Sequence, residues 1–248
     1  MKSIRTAVSV LLIVLSGQVM AEKVSMVIGL ALPPYVIAER DTGMELEIVR
    51  EALAMQGHEL VPLYVPFWRV LTMLGKGAAD AAMTVNESSG VTNVYYSDSH
   101  ITYQNQVIAL KDRNYSINSI NDLTPYSILA FQNANKYLGE EYRKVVSQHP
   151  FYQEVARQAK QVTMLYSGRI DLVVMDKNIF DYYRQLELRV PTAAAVQRYE
   201  LFPPSLYKVA FASETVRDDF NKSLKLLRDS GRYQAIIERY VGDQAEKL

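Results

Sequence analysis

The sequence contains no cysteine, a single tryptophan and only three histidines in 248 residues. The missing thiols exclude disulfides, thiolate catalysis and cysteine-based metal sites. They also exclude lipid attachment at a lipobox cysteine. His58, His100 and His149 are far apart, and none forms a helical pair with metal-ligand spacing. Net charge is missing as well: 27 Lys and Arg balance 27 Asp and Glu. The whole-chain field therefore offers no attraction to nucleic acid or to an anionic membrane. There is no nucleophile elbow, and Gly75-Lys76-Gly77 lacks the spacing and context of a phosphate cradle. Beyond the N-terminal segment, no apolar run approaches the ~20 residues that span a bilayer. No fixed-period repeat or low-complexity segment occurs.

The N-terminus has the charge, apolar and small-residue order of a secretory signal peptide. Lys2 and Arg5 precede a mostly apolar run from Ala7 to Leu15, and Val19-Met20-Ala21 supplies small residues at a cleavage site. Residues 1–21 are thus expected to be removed. The alternative, an uncleaved membrane anchor, is disfavoured by the short apolar run. The mature chain of about 227 residues is long enough for one large domain or two lobes of ~100 residues. An exported chain without disulfides suits the periplasm, as a freely diffusing protein.

Along the mature chain the pattern predicts strand 24–32, stopped by Pro33-Pro34, then a helix opened by Gly43 and closed by Gly57. Strand 60–65, a short helix from Phe67 to Leu74 and strand 80–85 follow. This alternation predicts a parallel sheet covered by helices. After strand 106–110, a second unit of the same kind begins with strand 127–131. A helix of about 135–147, helix 162–168, strand 171–175 and helix 177–186 continue it. Strand 207–211 and helices 218–230 and 233–240 finish the chain. The repeated alternation suggests two similar lobes without sequence duplication.

In open parallel sheets, ligands bind beyond the carboxyl ends of the strands. Four clusters occupy such positions: Pro33-Pro34-Tyr35, Phe67-Trp68-Arg69, Thr84 to Ser89, and Gln132 to Asn135. They supply aromatic faces and hydrogen-bonding groups for a small polar solute, and helix N-termini could add anion affinity there. Each has a plainer explanation. Trp68 could pack in the core or between lobes, and Arg69 could pair with a carboxylate. Gln132 and Asn133 could cap the next helix, and most of the 17 tyrosines are amphipathic packing residues.

Several segments, in order, resemble the periplasmic solute-binding proteins of family 3, the polar amino acid type. They are LPPYV at 32–36, GMELEIVREALAMQG at 43–57, PFWRVLTMLGKGAADAAMTV at 66–85 and YYSD at 95–98. INDL at 120–123, LYSGRIDLVVMD at 165–176 and LRDSGRYQAIIERYVG at 227–242 complete the set. The resemblance implies the α/β, two-lobed type II periplasmic binding fold, with two parallel-type sheets joined by two crossover strands. Lobe one would comprise 22–107 and 212–248, lobe two 112–206, with crossings near 108–111 and 207–211. It carries ligand-binding roles onto Tyr35, Thr84, Asn86, Gln132, Asn133 and Asp176, the last as partner of a ligand ammonium.

Two departures stand out. Amino acid binders of this family place an Arg after the third strand to clamp the ligand carboxylate. Here that stretch reads Asn86-Glu87-Ser88-Ser89-Gly90, and the Pro-Tyr usual after the "FSD" motif is replaced by Ser99-His100. Trp68 and Arg69, in a PWxR-like segment, are candidates to bind the ligand in place of the missing cation. The expected role is capture of a small polar solute, amino acid-like or another small organic ion, for an inner-membrane ABC permease. The protein is expected to be a periplasmic monomer with no cofactor, metal, nucleic acid partner or enzyme activity. The alternatives are a ligand-sensing module for a membrane receptor, and a dehydratase-type enzyme with Glu87 as the carboxylate to test.

Overall fold

The structure, a computed structural model, describes residues 22–30 and 32–242; the expected signal peptide lies outside the described residues. The chain begins with β1 (Glu22–Gly29), α1 (Met44–Ala54), β2 (His58–Val65), α2 (Phe67–Gly75), β3 (Ala81–Val85), β4 (Tyr95–Tyr96) and β5 (Ile101–Tyr103). It continues with β6 (Asn105–Leu110), β7 (Ile128–Phe131), α3 (Ala134–Tyr137), α4 (Glu140–Ser147), β8 (Tyr152–Val155) and α5 (Ala159–Tyr166). Next come β9 (Leu172–Asp176), α6 (Lys177–Leu186), β10 (Val196–Tyr199), β11 (Ser205–Phe211), α7 (Glu214–Asp229) and α8 (Arg232–Val241).

These elements build two mixed sheets. The first has the order β2-β1-β3-β11-β4, with β5 also pairing β11; the second has the order β10-β6-β9-β7-β8. Within each, the strands linked by helices run parallel: β1 with β2 and β3, β7 with β8 and β9. The strand that arrives from the other half of the chain runs antiparallel: β11 against β3, and β6 against β9.

Helices cover both faces of the sheets, which is why the strands read as continuous apolar runs. In β1, Met26 and Ile28 face the core formed with α1, α7 and α8, through residues such as Leu46, Leu53, Phe220 and Ile236. Val27 points the other way, onto Val70 and Leu74 of α2. In the second sheet, Ile128, Ala130, Leu172 and Val174 pack with Tyr142 and Val146 of α4.

The two lobes share a brace that no sequence repeat announces. Asp80, just before β3, accepts from the backbone N–H and hydroxyl of Ser25 at 2.9 and 2.5 Å, and Ser25 Oγ accepts from the Asp80 N–H. Asp171, just before β9, does the same with Ser127. Burial would raise the Asp171 carboxyl, but its hydrogen bonds from Ser127 and Tyr115 outweigh that and hold it below the ordinary range.

The sheets also show where the chain changes lobes. β6 and β10 lie wholly in the second sheet, and β5 and β11 wholly in the first. The chain passes between sheets at Gln104 and across 200–204, a few residues ahead of the crossings at 108–111 and 207–211 expected from sequence. Apolar content marks β6 and β11 as strands but not which sheet they join; pairing decides that. The expected helix at 135–147 is likewise divided into α3 and α4 by Gly139, whose φ of +93° breaks the helical path. β8 and β10, half-exposed edge strands, carry too little apolar alternation to be read from sequence.

Candidate functional site

The carboxyl ends of the parallel strands of both sheets face one another across a cleft of about 610 Å³ of non-atom space, part of it open to solvent. Leu30 and Leu32 follow β1, Phe67 follows β2, and Thr84 lies at the end of β3. From the second lobe come Phe131 at the end of β7 and Gln132 after it, Gln158 beyond β8, and Asp176 at the end of β9. Tyr103 and Asn105 enter on either side of the crossing at Gln104, and Tyr207 projects from β11.

Tyr35 is positioned by the start of α1. The first-turn amides of Met44 and Glu45 donate to the carbonyls of Pro34 (3.0 Å) and Tyr35 (3.1 Å), so the helix N-terminus grips this turn. The approach requires Gly43: its φ is +134°, and a β-carbon there would lie 2.3 Å from the Tyr35 carbonyl oxygen. So held, the buried Tyr35 ring stacks on Tyr103, with centroids 3.7 Å apart and planes at 19°. Its hydroxyl donates to Asp176 Oδ1 of the second lobe (3.0 Å) and accepts from Asn178 Nδ2 (2.9 Å). Burial, followed by the neighbouring Asp176 charge, raises the Tyr35 hydroxyl well above its ordinary pKa, so it remains a donor.

Asp176 is 2% exposed. It caps α6, accepting at Oδ1 from the amides of Asn178 (2.8 Å) and Ile179 (3.1 Å), while Oδ2 accepts from the Gln104 N–H (2.8 Å). Burial pushes its carboxyl up to about 6, against the lowering effect of those bonds.

On the first-lobe side, the fully buried Glu45 accepts from three groups. Thr84 Oγ1 (2.7 Å) and His100 Nε2 (2.9 Å) meet Oε1, and the Tyr103 hydroxyl (2.8 Å) meets Oε2. Thr84 has a φ of +61°. A β-branched residue is rarely found there, and its bond to Glu45 helps to hold it. Tyr103 is buried, and burial raises its hydroxyl well above the ordinary range, with the Glu45 charge as the next cause.

The residues expected from sequence are distributed unevenly. Thr84, Gln132 and Asp176 line the cleft, and Tyr35 stands behind it, bonded to Asp176. Asn86 lines an adjoining recess with Thr84, Phe67 and Tyr137. Asn133 adopts a left-handed conformation (φ +64°), and its N–H donates to Glu154 at 2.7 Å. Trp68 is 54% exposed, and Arg69, also exposed, lies over its ring at 5.0 Å; neither lines the cleft. Glu87 is exposed and paired with Lys208, which lowers its pKa, the reverse of what a general acid needs.

Sequence reasoning missed Glu45, Tyr103, Asn105 and Gln158. One signal was available for Glu45: the departure at Ser99-His100 places a histidine where it meets that carboxylate. Among the described residues, no group of acidic and histidine side chains could hold a metal ion, and no helix is long and apolar enough to cross a membrane.

The profile of the bacterial extracellular solute-binding proteins, family 3, matches residues 24–243, and the chain belongs to that family. No curated protein matches it in a sequence comparison. Among solved structures, it resembles an ancestral arginine-binding protein bound to arginine, at 19% identity and TM-score 0.72, over 90% of this chain and 100% of that one. A histidine kinase sensor domain with similarity to periplasmic binding proteins matches at 15% identity and TM-score 0.73, over 90% and 97% of the two chains. A substrate-binding protein of an amino acid ABC transporter from Streptococcus pneumoniae, bound to L-arginine, matches at 20% identity and TM-score 0.67, over 87% and 93%. At these identities the likeness shows the fold: the type II periplasmic binding architecture.

Proposed function

We propose that this family 3 protein captures a small polar solute, amino acid-like or another small organic ion, between its lobes and delivers it to an inner-membrane ABC transporter. The observation that carries this is the joint construction of the cleft. Both sheets turn their carboxyl ends toward it, and Tyr35 of one lobe is hydrogen-bonded to Asp176 of the other. A solute that touches both walls binds the closed arrangement better than the open one and so drives closure. Thr84, Asn86, Gln132 and Asp176 are its proposed ligand-binding residues, with Tyr35 positioning Asp176 from behind the wall. The signal-like N-terminus and the absence of a lipid-anchoring cysteine support a freely diffusing periplasmic protein. The transporter role draws on the likeness to the Streptococcus pneumoniae protein.

A sensing role, with the same lobes docking on a membrane receptor, is favoured by the likeness to the histidine kinase sensor domain. An enzymatic role has less support. Glu87 lies outside the cleft lining, and Asp176, the buried carboxylate that does face it, has both oxygens engaged by hydrogen bonds.

A thermal-shift screen of the mature protein against amino acids, amines, organic acids and small peptides tests capture. A true ligand at 100 times its Kd stabilises by about 2.7 kcal/mol. A flat response across all classes overturns it.

A further inference from the structure

We propose that the solute is a small organic cation without a carboxylate: an amine carrying an apolar or aromatic body. This rests on the capture function above and narrows its substrate class. Zwitterionic amino acids need two opposite poles in a site, a carboxylate for the ammonium and a donor cluster for the carboxylate. Only the first is built here.

Asp176 is the charged side chain of the lining, and no lysine or arginine joins it among the described residues. Three hydroxyls at the walls are turned the same way. Thr84 and Tyr103 donate their protons to Glu45, and Tyr35 donates its proton to Asp176. Toward the cleft, Thr84 and Tyr103 therefore offer lone pairs. Glu45, a buried acceptor behind the wall, thus sets the polarity of the surface in front of it.

Helix N-termini are the usual remaining source of anion affinity, and three of them are already filled from within. The α1 amides are taken by the Pro34 and Tyr35 carbonyls. Those of Asn133 and Asn135 at the start of α3 are taken by the Glu154 carboxylate, at 2.7 and 3.1 Å. The first-turn amides of α6 are taken by Asp176. Among the side chains of the lining, a ligand carboxylate would find only neutral donors: the amides of Asn105, Gln132 and Gln158 and the hydroxyls of Tyr137 and Tyr207. It would be desolvated without a counter-charge, which is costly. An ammonium group meets Asp176, acceptor oxygens and the aromatic faces of Phe67, Tyr103, Phe131, Tyr137 and Tyr207, each of them favourable to a cation.

The test compares matched pairs on the wild-type protein by thermal shift and calorimetry: tyramine with tyrosine, phenethylamine with phenylalanine, agmatine with arginine, cadaverine with lysine. In at least one pair, the amine is expected to bind about 10-fold or more tightly than its amino acid, a difference of about 1.4 kcal/mol. If amino acids bind as tightly as their amines, or if organic acids alone bind, this inference is overturned while capture stands. If no compound of any class binds, capture itself is overturned and this inference with it.

Discussion

The Tyr35 hydroxyl donates to Asp176 Oδ1 across 3.0 Å, joining residues 141 positions apart in sequence and one in each lobe. The same hydroxyl accepts from Asn178, so removing it leaves an amide donor and a carboxylate oxygen each short of a partner. Tyr35→Phe keeps the ring stacked on Tyr103 and deletes only the bridge. The expected cost is about 1–2 kcal/mol, taken from the closed arrangement. In ligand-free protein, small-angle scattering should then report a larger radius of gyration than for wild type. An unchanged radius and an unchanged urea midpoint would mean that this bond does not hold the lobes together.

Glu45→Gln exchanges one of two acceptor oxygens for a donor. Glu45 receives three donors in a fully buried site, so at least one of them must turn away. Stability is expected to fall by about 1–3 kcal/mol, read as a lower urea midpoint at unchanged slope. If the Tyr103 hydroxyl is the group that turns, it can donate into the cleft, and the preference for amines over amino acids should narrow. A variant as stable as wild type would show that the three contacts carry little.

Protonation of Asp176 gives two opposite pH effects. An ammonium ligand favours the ionised carboxylate, whose pKa burial sets at about 6. Amine affinity is therefore expected to be level above pH ~7 and to fall by up to ~10-fold per pH unit below 6. The ligand-free fold responds in reverse. Its raised carboxyl binds a proton more tightly than the unfolded chain, where Asp titrates near ~3.9. The stability from this group is thus fully present below about pH 4 and lost as pH rises through 6. Calorimetry and urea denaturation from pH 4.5 to 8, with Asp176→Asn as control, check both. The slope in amine affinity should disappear in the variant, and its persistence would assign the titration to another group.

Arg69 and Trp68 stack on each other outside the cleft lining. Arg69→Ala and Trp68→Ala are therefore expected to change ligand affinity by less than about 2-fold, since exposed substitutions away from a site cost within ~0.5 kcal/mol. A loss of 10-fold or more by calorimetry would restore Arg69 as the cation that replaces the missing clamp.

Much of the fold is legible in the sequence because its rules are local. Apolar runs bounded by Pro33-Pro34, Gly43, Gly57 and Pro66 mark the elements of the first lobe to within a few residues. The edge strands β8 and β10 are not legible, because edge strands carry little apolar signal. Nor is the lobe membership of β6 and β11, which depends on partners far away in the chain. At the site, the rule that ligands sit beyond strand ends leads to Thr84, Gln132 and Asp176. It cannot show that Arg69, two residues into α2, is directed away from the cleft, because helical rotation is decided by which face packs on the sheet. Here Val70 and Leu74 do so.

By itself the sequence determines that the chain has no thiol chemistry, no net charge and an alternating α/β pattern, and that the family's carboxylate-clamping arginine is absent after Asn86. Composition and local periodicity are sufficient for those. Only the tertiary structure decides what the cleft presents where the clamp is missing. Glu45, Thr84, His100 and Tyr103 are scattered over 59 positions of the chain, and they become one network when α1 packs against the ends of β3 and β5. The direction in which each hydroxyl donates, and so the charge the cleft accepts, is a property of that packing.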